Sequence, residues 1–298
     1  MIVVTAPTSN IGGQLLARLL ADGVDGAEPL RVIARRPDAL PEQVRDRVEV
    51  VAGSHADPDV VAKAFVGADA VFWLVPPNHA ATNPQDAYLD FTRPACAAIR
   101  SEGVRHVVTV SALGRGTPVA DRAGLVTASL AMDDLIATTG VALRALALPG
   151  FMDNWLRQVA SIRDQGVIFS ATRADLRFPT VATRDIAARA AELLRDRSWR
   201  GQDGVAVLGP QDVTSHELAE IMSDVLGRPV RHQQISGQAQ YDGLVAAGWS
   251  AAMARAMIDM IDAKNDGLDN GERRTPATSS PTTFRQWCTD VLRPAVLG

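Results

Sequence analysis

The chain has 298 residues, 30 basic against 34 acidic side chains, and a net charge of −4 with histidine neutral. At 47% hydrophobic and 21% charged residues it is a globular composition, which excludes disorder. No apolar run approaches the roughly 20 residues of a membrane-spanning helix, and the mild acidic excess argues against a general nucleic-acid binder.

Ile2–Val4 reads as a short strand, followed by a polar turn and by Ile11, Leu15, Leu16, Leu19 and Leu20 on one helix face. Leu30–Ala34 and Val48–Ala52 are the next strands. Ala70–Val75 is continuously apolar, as expected where helices cover both faces of a sheet. Pro84–Glu102 reads as a long helix, Val107–Val110 as a buried strand, Arg122–Thr139 as a helix ended by Gly140, and Val141–Leu148 as a further strand. This βα alternation implies a parallel, doubly wound sheet, because each parallel pair needs a crossover. After Pro149-Gly150 the rhythm changes. Helices are predicted at Trp155–Asp164, at Ser215–Leu226 (with a Thr214/Glu217 capping box), at Ser250–Ala263 and at Thr283–Leu292. Val205–Leu208 reads as a strand, Asp185 as the cap of a helix at Ile186, and Asn265–Pro281 as loop. The expected organisation is a nucleotide-type domain over residues 1–149 and a smaller, mainly helical lobe over 150–298, some of whose segments return to the sheet. The ligand cleft lies between them, at the carboxyl ends of the strands.

Cys96 and Cys288 are too few for a disulfide framework or a zinc site, and the five histidines form no close pair, so no metal is expected. The opening MIVVTAPTSNIGG has no basic n-region and no cleavage pattern, so a cytoplasmic location is expected. The first strand runs into Thr8-Ser9-Asn10-Ile11-Gly12 and a helix. A helix start offers unpaired N–H groups to a pyrophosphate, and the three polar side chains either add donors or cap the helix. The second strand ends in Arg35-Arg36, where an arginine suits a 2′-phosphate and an acidic residue would suit a ribose hydroxyl. The expected cofactor is NADP(H).

With these residues in order, the chain resembles the NmrA-like group of atypical short-chain dehydrogenases, with their Rossmann-like α/β fold. Ala6-Pro7-Thr8-Ser9-Asn10-Ile11-Gly12 stands for the family's G-A-T-G-x-x-G turn. GSHADPDVVAKAFVGADAVFWLVPP, VVTVSALG and LRALALPGFMDNWL follow its later motifs. FPTVATRDIA and LGPQDVTSHELAEIMSDVLGRPV resemble its lobe segments. The resemblance implies that Thr8 to Gly12 hold the pyrophosphate, that Arg35 and Arg36 meet the 2′-phosphate, and that Ser54 and His55 lie near the adenine. It places Leu74, Val75, Pro76 and Pro149 along the nicotinamide side. Pro77, Phe151, Met152, Asn154 and Trp155 would face a small hydrophobic organic substrate. Ala6 and Ser9 replace two turn glycines. A β-carbon there pushes the phosphates outward unless the Ser9 hydroxyl compensates with a hydrogen bond.

The ordinary Tyr-x-x-x-Lys proton donor is missing. The only tyrosines are Tyr88 and Tyr241, with Thr92 and Val245 four residues on, and Ser129 stands where the resemblance would place the lysine. Hydride transfer then suits an already electrophilic acceptor, a quinone, enone or iminium. Ser111 is the candidate hydrogen-bond donor and His79 a candidate proton donor. The expected function is an NADPH-dependent reductase. The alternatives are a non-catalytic NADP(H) sensor, and a non-redox enzyme of cyclisation, elimination or rearrangement on the same scaffold.

Overall fold

The structure, a computed structural model, describes residues 1–21 and 28–298. Strand β1, Ile2–Thr5, is buried at every position. Helix α1, Asn10–Ala21, follows and buries Ile11, Leu15, Leu16, Leu19 and Leu20, the apolar stripe of the sequence. Strand β2 is Leu30–Ala34, helix α2 Glu42–Arg45 and strand β3 Glu49–Ala52. Helix α3, Pro58–Phe65, starts on a cap in which Asp57 accepts from the N–H groups of Asp59 and Val60. Strand β4 is Ala70–Trp73. Helix α4, Phe91–Glu102, is preceded by a wider π turn, Asp86–Asp90. Pro94 lies in its first turn, lacks the N–H that would bond back to residue 90, and fits where the winding is loosened. Strand β5, His106–Ala112, helix α5, Leu125–Ala137, and strand β6, Ala142–Leu148, complete this half.

Beyond β6 come strand β7 (Gly150–Phe151), a 3₁₀ stretch (Met152–Gln158), helix α6 (Val159–Gln165), and strands β8 (Val167–Ser170) and β9 (Phe178–Val181). Helix α7 (Thr183–Arg195) packs on α1, and strand β10 (Gln202–Ala206) returns to the main sheet. Then follow strand β11 (Asp212–Val213), helix α8 (Ser215–Leu226), strand β12 (Arg231–Gln234), and helices α9 (Gly237–Ala246), α10 (Ala251–Asn265), α11 (Phe284–Trp287) and α12 (Arg293–Leu297).

The main sheet has seven parallel strands in the order β10-β6-β5-β4-β1-β2-β3. The chain leaves β1 towards β2 and later returns to β4 on the other side, so the strand order reverses at β1, where such sheets hold their ligands. One apolar core lies between this sheet and helices α1 and α7, and a second between its other face and helices α3, α4 and α5. A third core, built on Met152, Leu218, Met222, Phe284 and Trp287, belongs to the lobe.

The Thr214/Glu217 capping box forms as the sequence predicts. Three lobe expectations are corrected. Asp185 does not cap a helix: α7 starts at Thr183, and the Asp185 carboxylate accepts from the N–H and hydroxyl of Thr282 at 3.1 and 2.8 Å. The α7 N-terminus is held instead by Asp153, which accepts from Thr183 N and Oγ1 at 3.1 and 2.9 Å. The strand expected at Val205–Leu208 begins earlier, at Gln202. As an outer strand of the sheet it tolerates the polar Gln-Asp-Gly that hid its start. The Asn265–Pro281 loop contains a 3₁₀ turn, Leu268–Gly271, anchored by the ion pair of Lys264 with Asp269.

Candidate active site

The site is built where the carboxyl ends of β1, β4, β5 and β6 meet the lobe. At its floor Thr5, fully buried, donates to the Phe72 carbonyl and accepts from Leu74 N–H, both at 2.9 Å. That hydroxyl satisfies two backbone groups where β1 and β4 part, and so fixes the mouth of the cleft.

The turn after β1 is closed from within. Ser9 N–H and Ser9 Oγ both donate to the Ala6 carbonyl, at 3.0 and 2.8 Å, and Gly12 N–H donates to Ser9 Oγ at 3.0 Å. Ser9 is thus a structural brace of the turn, while Thr8 and Asn10 are exposed at its rim and Ile11 is anchored in the core. Ala6 stands where the resemblance puts a glycine. It holds φ at +48°, the only non-glycine in the left-handed region among the described residues. That conformation costs roughly 1–2 kcal/mol for an L-residue. Gly12 is required: a β-carbon there would lie 2.1 Å from the Ala6 oxygen. At the start of α1 the N–H groups of Asn10 and Ile11 precede this brace and have no carbonyl one turn back within the helix, the kind of helix start that seats a diphosphate.

Arg35 and Arg36 are exposed at the end of β2, and among the described residues neither guanidinium pairs with a carboxylate. Two unneutralised cations beside the turn fit a 2′-phosphate. Ser54 takes a local turn role, accepting from Ala56 N–H at 3.2 Å. His55 is buried, with Nε2 at 2.9 Å from the Leu74 carbonyl and its ring edge-on to Trp73 and Phe91. Burial lowers its pKa to about 4, opposed by the Leu74 bond and reinforced by Arg35, so it stays neutral and donates through Nε2. It ties the loop after β3 to the end of β4, and its side chain is withdrawn from the surface.

Leu74 and Met152 are core residues, and Pro149 is buried, so these positions shape the cleft through the backbone. Val75, Pro76, Phe151 and Trp155 are half-buried, whereas Pro77 and Asn154 are exposed. His79 stacks on Trp249 with ring centroids 3.8 Å apart and planes 14° apart. Its carbonyl accepts from Ser250 N–H at 2.9 Å, and Ser250 Oγ donates to the Ala81 carbonyl at 2.6 Å. Burial, aided by Arg157, lowers the His79 pKa, so near neutral pH the ring is a neutral clasp to the lobe and a poor acid. Sequence reasoning missed its partner Trp249, which lies in the last third of the chain.

Ser111, at the end of β5, donates to Asp133 Oδ2 on α5, and Thr109 donates to Asp133 Oδ1 at 2.8 Å. Asp133 is 3% exposed. Burial raises its pKa to about 6, against the pull of the Ser111 and Thr109 bonds and of Arg115, 4.0 Å away. Asp133 carried no expectation, although the signal existed: two hydroxyls two residues apart on one face of a buried strand need a polar partner on the helix that covers them. No Tyr–Lys pair forms. Lys264 is held by Asp269 and Lys63 is exposed on α3. No group of three or more metal-ligating side chains occurs among the described residues. No helix of the described residues is long and apolar enough to cross a membrane. A hollow of about 580 Å³ lined by Arg100, Arg105, His106 and Arg200 lies at the amino ends of β5 and β6, remote from the turn.

The reversed strand order, the glycine-closed turn and the helix start define a dinucleotide-binding Rossmann protein. The chain belongs to the NAD(P)H-binding family, whose profile matches residues 8–197. It is 30% identical over 291 residues to the (4-alkanoyl-5-oxo-2,5-dihydrofuran-3-yl)methyl phosphate reductase of Streptomyces griseus subsp. griseus, covering 96% of each chain. It is 25% identical to the NAD(P)H azoreductase of Xenophilus azovorans over 87% of this chain and 86% of that one. Its fold matches the triphenylmethane reductase of a Citrobacter species, solved with NADP(H), at a TM-score of 0.79 and 23% identity over 100% of both chains.

Proposed function

We propose that this protein is an NADPH-dependent reductase of a small, apolar, electrophilic organic molecule, an enone, quinone or imine-like acceptor, acting in the cytoplasm. The observation that carries the reading is the pairing of a braced turn with two exposed arginines at the neighbouring strand end that meet no carboxylate among the described residues. Thr8 to Gly12 hold the diphosphate through N–H groups and rim side chains, and Arg35 and Arg36 take the 2′-phosphate. The bound dihydronicotinamide supplies a hydride. Val75, Pro76 and Pro77 on one side, and Phe151, Asn154 and Trp155 on the other, enclose the acceptor and exclude water. Ser111 hydrogen-bonds the acceptor oxygen as negative charge develops there. Without the Tyr–Lys pair, the protein suits acceptors whose own carbonyl or iminium group draws the hydride. The relatives named above, reductases of an acylated oxo-dihydrofuran and of azo compounds, support that class.

The test is stopped-flow loss of reduced-nicotinamide absorbance with a panel of enones, quinones and imines. The expected result is rapid decay with at least one class, faster with NADPH than with NADH. Tight NADPH binding with no decay across the panel contradicts the proposal and favours a sensor.

A further inference from the structure

The Thr109–Ser111–Asp133 cluster is a buried polar group inside the core that α5 forms against the sheet, and the mechanism above uses only its outer hydroxyl. Its geometry has a directional consequence. A hydroxyl has one hydrogen. With Asp133 ionised, Ser111 Oγ donates to Oδ2, the contact the structure holds, and the serine has no hydrogen left for a second partner. With Asp133 protonated, the carboxylic acid donates to Ser111 Oγ, and the serine hydrogen is released to turn outward. Thr109 donates to the other oxygen at 2.8 Å, which anchors the carboxyl group against β5.

We propose that Asp133 is a proton-holding positioning residue that switches Ser111 from acceptor to donor and refills its proton during turnover. The proposal rests on the reductase reading and deepens it. As hydride reaches the electrophilic carbon, the carbonyl π pair moves onto its oxygen. Ser111 Oγ–H gives its proton to that oxygen, the Asp133 O–H proton moves to Ser111 Oγ, and Asp133 is left ionised. Water re-protonates it before the next cycle. One hydride and one proton are added, and the serine is unchanged. The charged groups acting on Asp133 are Arg115, from the turn after β5, and Asp134, its neighbour on α5. Arg115 is itself engaged with Asp134 at 2.8 Å, which tempers its hold on Asp133. Burial is the dominant influence and leaves the acid form accessible near pH 6.

Two measurements test this. The first needs no turnover: infrared difference titration of the coenzyme-free protein should show a carboxylic-acid band that grows as pH falls through about 6 and is missing in Asp133→Asn. The second is the pH profile of kcat with 3-acetyl-2(5H)-furanone as acceptor. The wild type should be flat at low pH and fall about tenfold per unit above about 6, because the donor is the protonated acid. Thr109→Val removes a bond that favours the ionised form, so the limb should move to higher pH while remaining present. Asp133→Asn and Ser111→Ala should lose the limb and at least tenfold in kcat, with KM and NADPH affinity within about threefold, and Asp133→Glu should restore a limb. A wild-type limb that persists in Asp133→Asn, a limb unmoved by Thr109→Val, or a missing acid band overturns the proposal while leaving the reductase reading intact. An acid band that titrates as expected in a protein that reduces nothing overturns the reductase reading, and the relay with it.

Discussion

Gly12→Ala is the sharpest probe of the phosphate turn. The added β-carbon would lie 2.1 Å from the Ala6 oxygen, 2.9 Å from the Ala6 carbonyl carbon and 3.0 Å from Ser9 Oγ. Reaching ordinary van der Waals contact requires a shift of at least about 1 Å. The displaced atom is the acceptor for Ser9 N–H and Ser9 Oγ, and the Gly12 N–H bond to Ser9 depends on the same geometry. Two or three hydrogen bonds at about 1 kcal/mol each give a loss of about 2–3 kcal/mol, or about 4–6 °C in melting temperature for a chain of this size. The same shift misaligns the helix N–H groups. Losing one charge-assisted bond to a phosphate, about 1.5–3 kcal/mol, lowers NADPH affinity about 10- to 100-fold. Thermal unfolding of the coenzyme-free protein and calorimetric titration read the two effects separately. Gly13→Ala is the control, since its β-carbon meets only the Pro7 oxygen, at 3.3 Å, and gains helix propensity. A Gly12→Ala protein that melts within about 1 °C of wild type, about half a kcal/mol, and binds NADPH equally well would refute this geometry.

Two further expectations follow from the same floor. Ala6→Gly releases the left-handed strain at φ +48° and should raise stability by about 1 kcal/mol, or about 2 °C; an unchanged or lower melting temperature would speak against that strain. Thr5→Val keeps the shape but strands the Phe72 carbonyl and the Leu74 N–H, a loss of about 2–4 kcal/mol in urea unfolding that Thr5→Ser should largely restore; a loss under about 1 kcal/mol would contradict the bridging role.

The parts of this protein that were legible in the sequence are those whose cause is local. The continuous apolar runs at Ile2–Val4 and Ala70–Trp73 are apolar because both faces of the sheet are covered, and the stripe from Ile11 to Leu20 repeats at the helical period. Thr214 and Glu217 cap a helix three residues apart, so the box could be read directly. Contacts between distant segments left weaker traces. Asp133 meets Thr109 and Ser111 across 24 and 22 residues, and His79 stacks on Trp249, far along the chain. Asp185 illustrates the cost of local reasoning: a cap was the nearest explanation, yet its partner Thr282 lies 97 residues on. Helix α9 buries none of its residues and so left no apolar period to find.

Calorimetric titration of the wild type, Arg35→Ala and Arg36→Ala with NADPH and NADH tests the central claim most directly. Both guanidiniums are exposed and pair with no carboxylate among the described residues, so each contributes about one charge-assisted contact, weakened by salt. The account predicts NADPH bound well over tenfold more tightly than NADH, each substitution removing about tenfold of that preference while NADH affinity stays constant. Equal affinity for the two coenzymes in the wild type, or a preference untouched by either substitution, would contradict it.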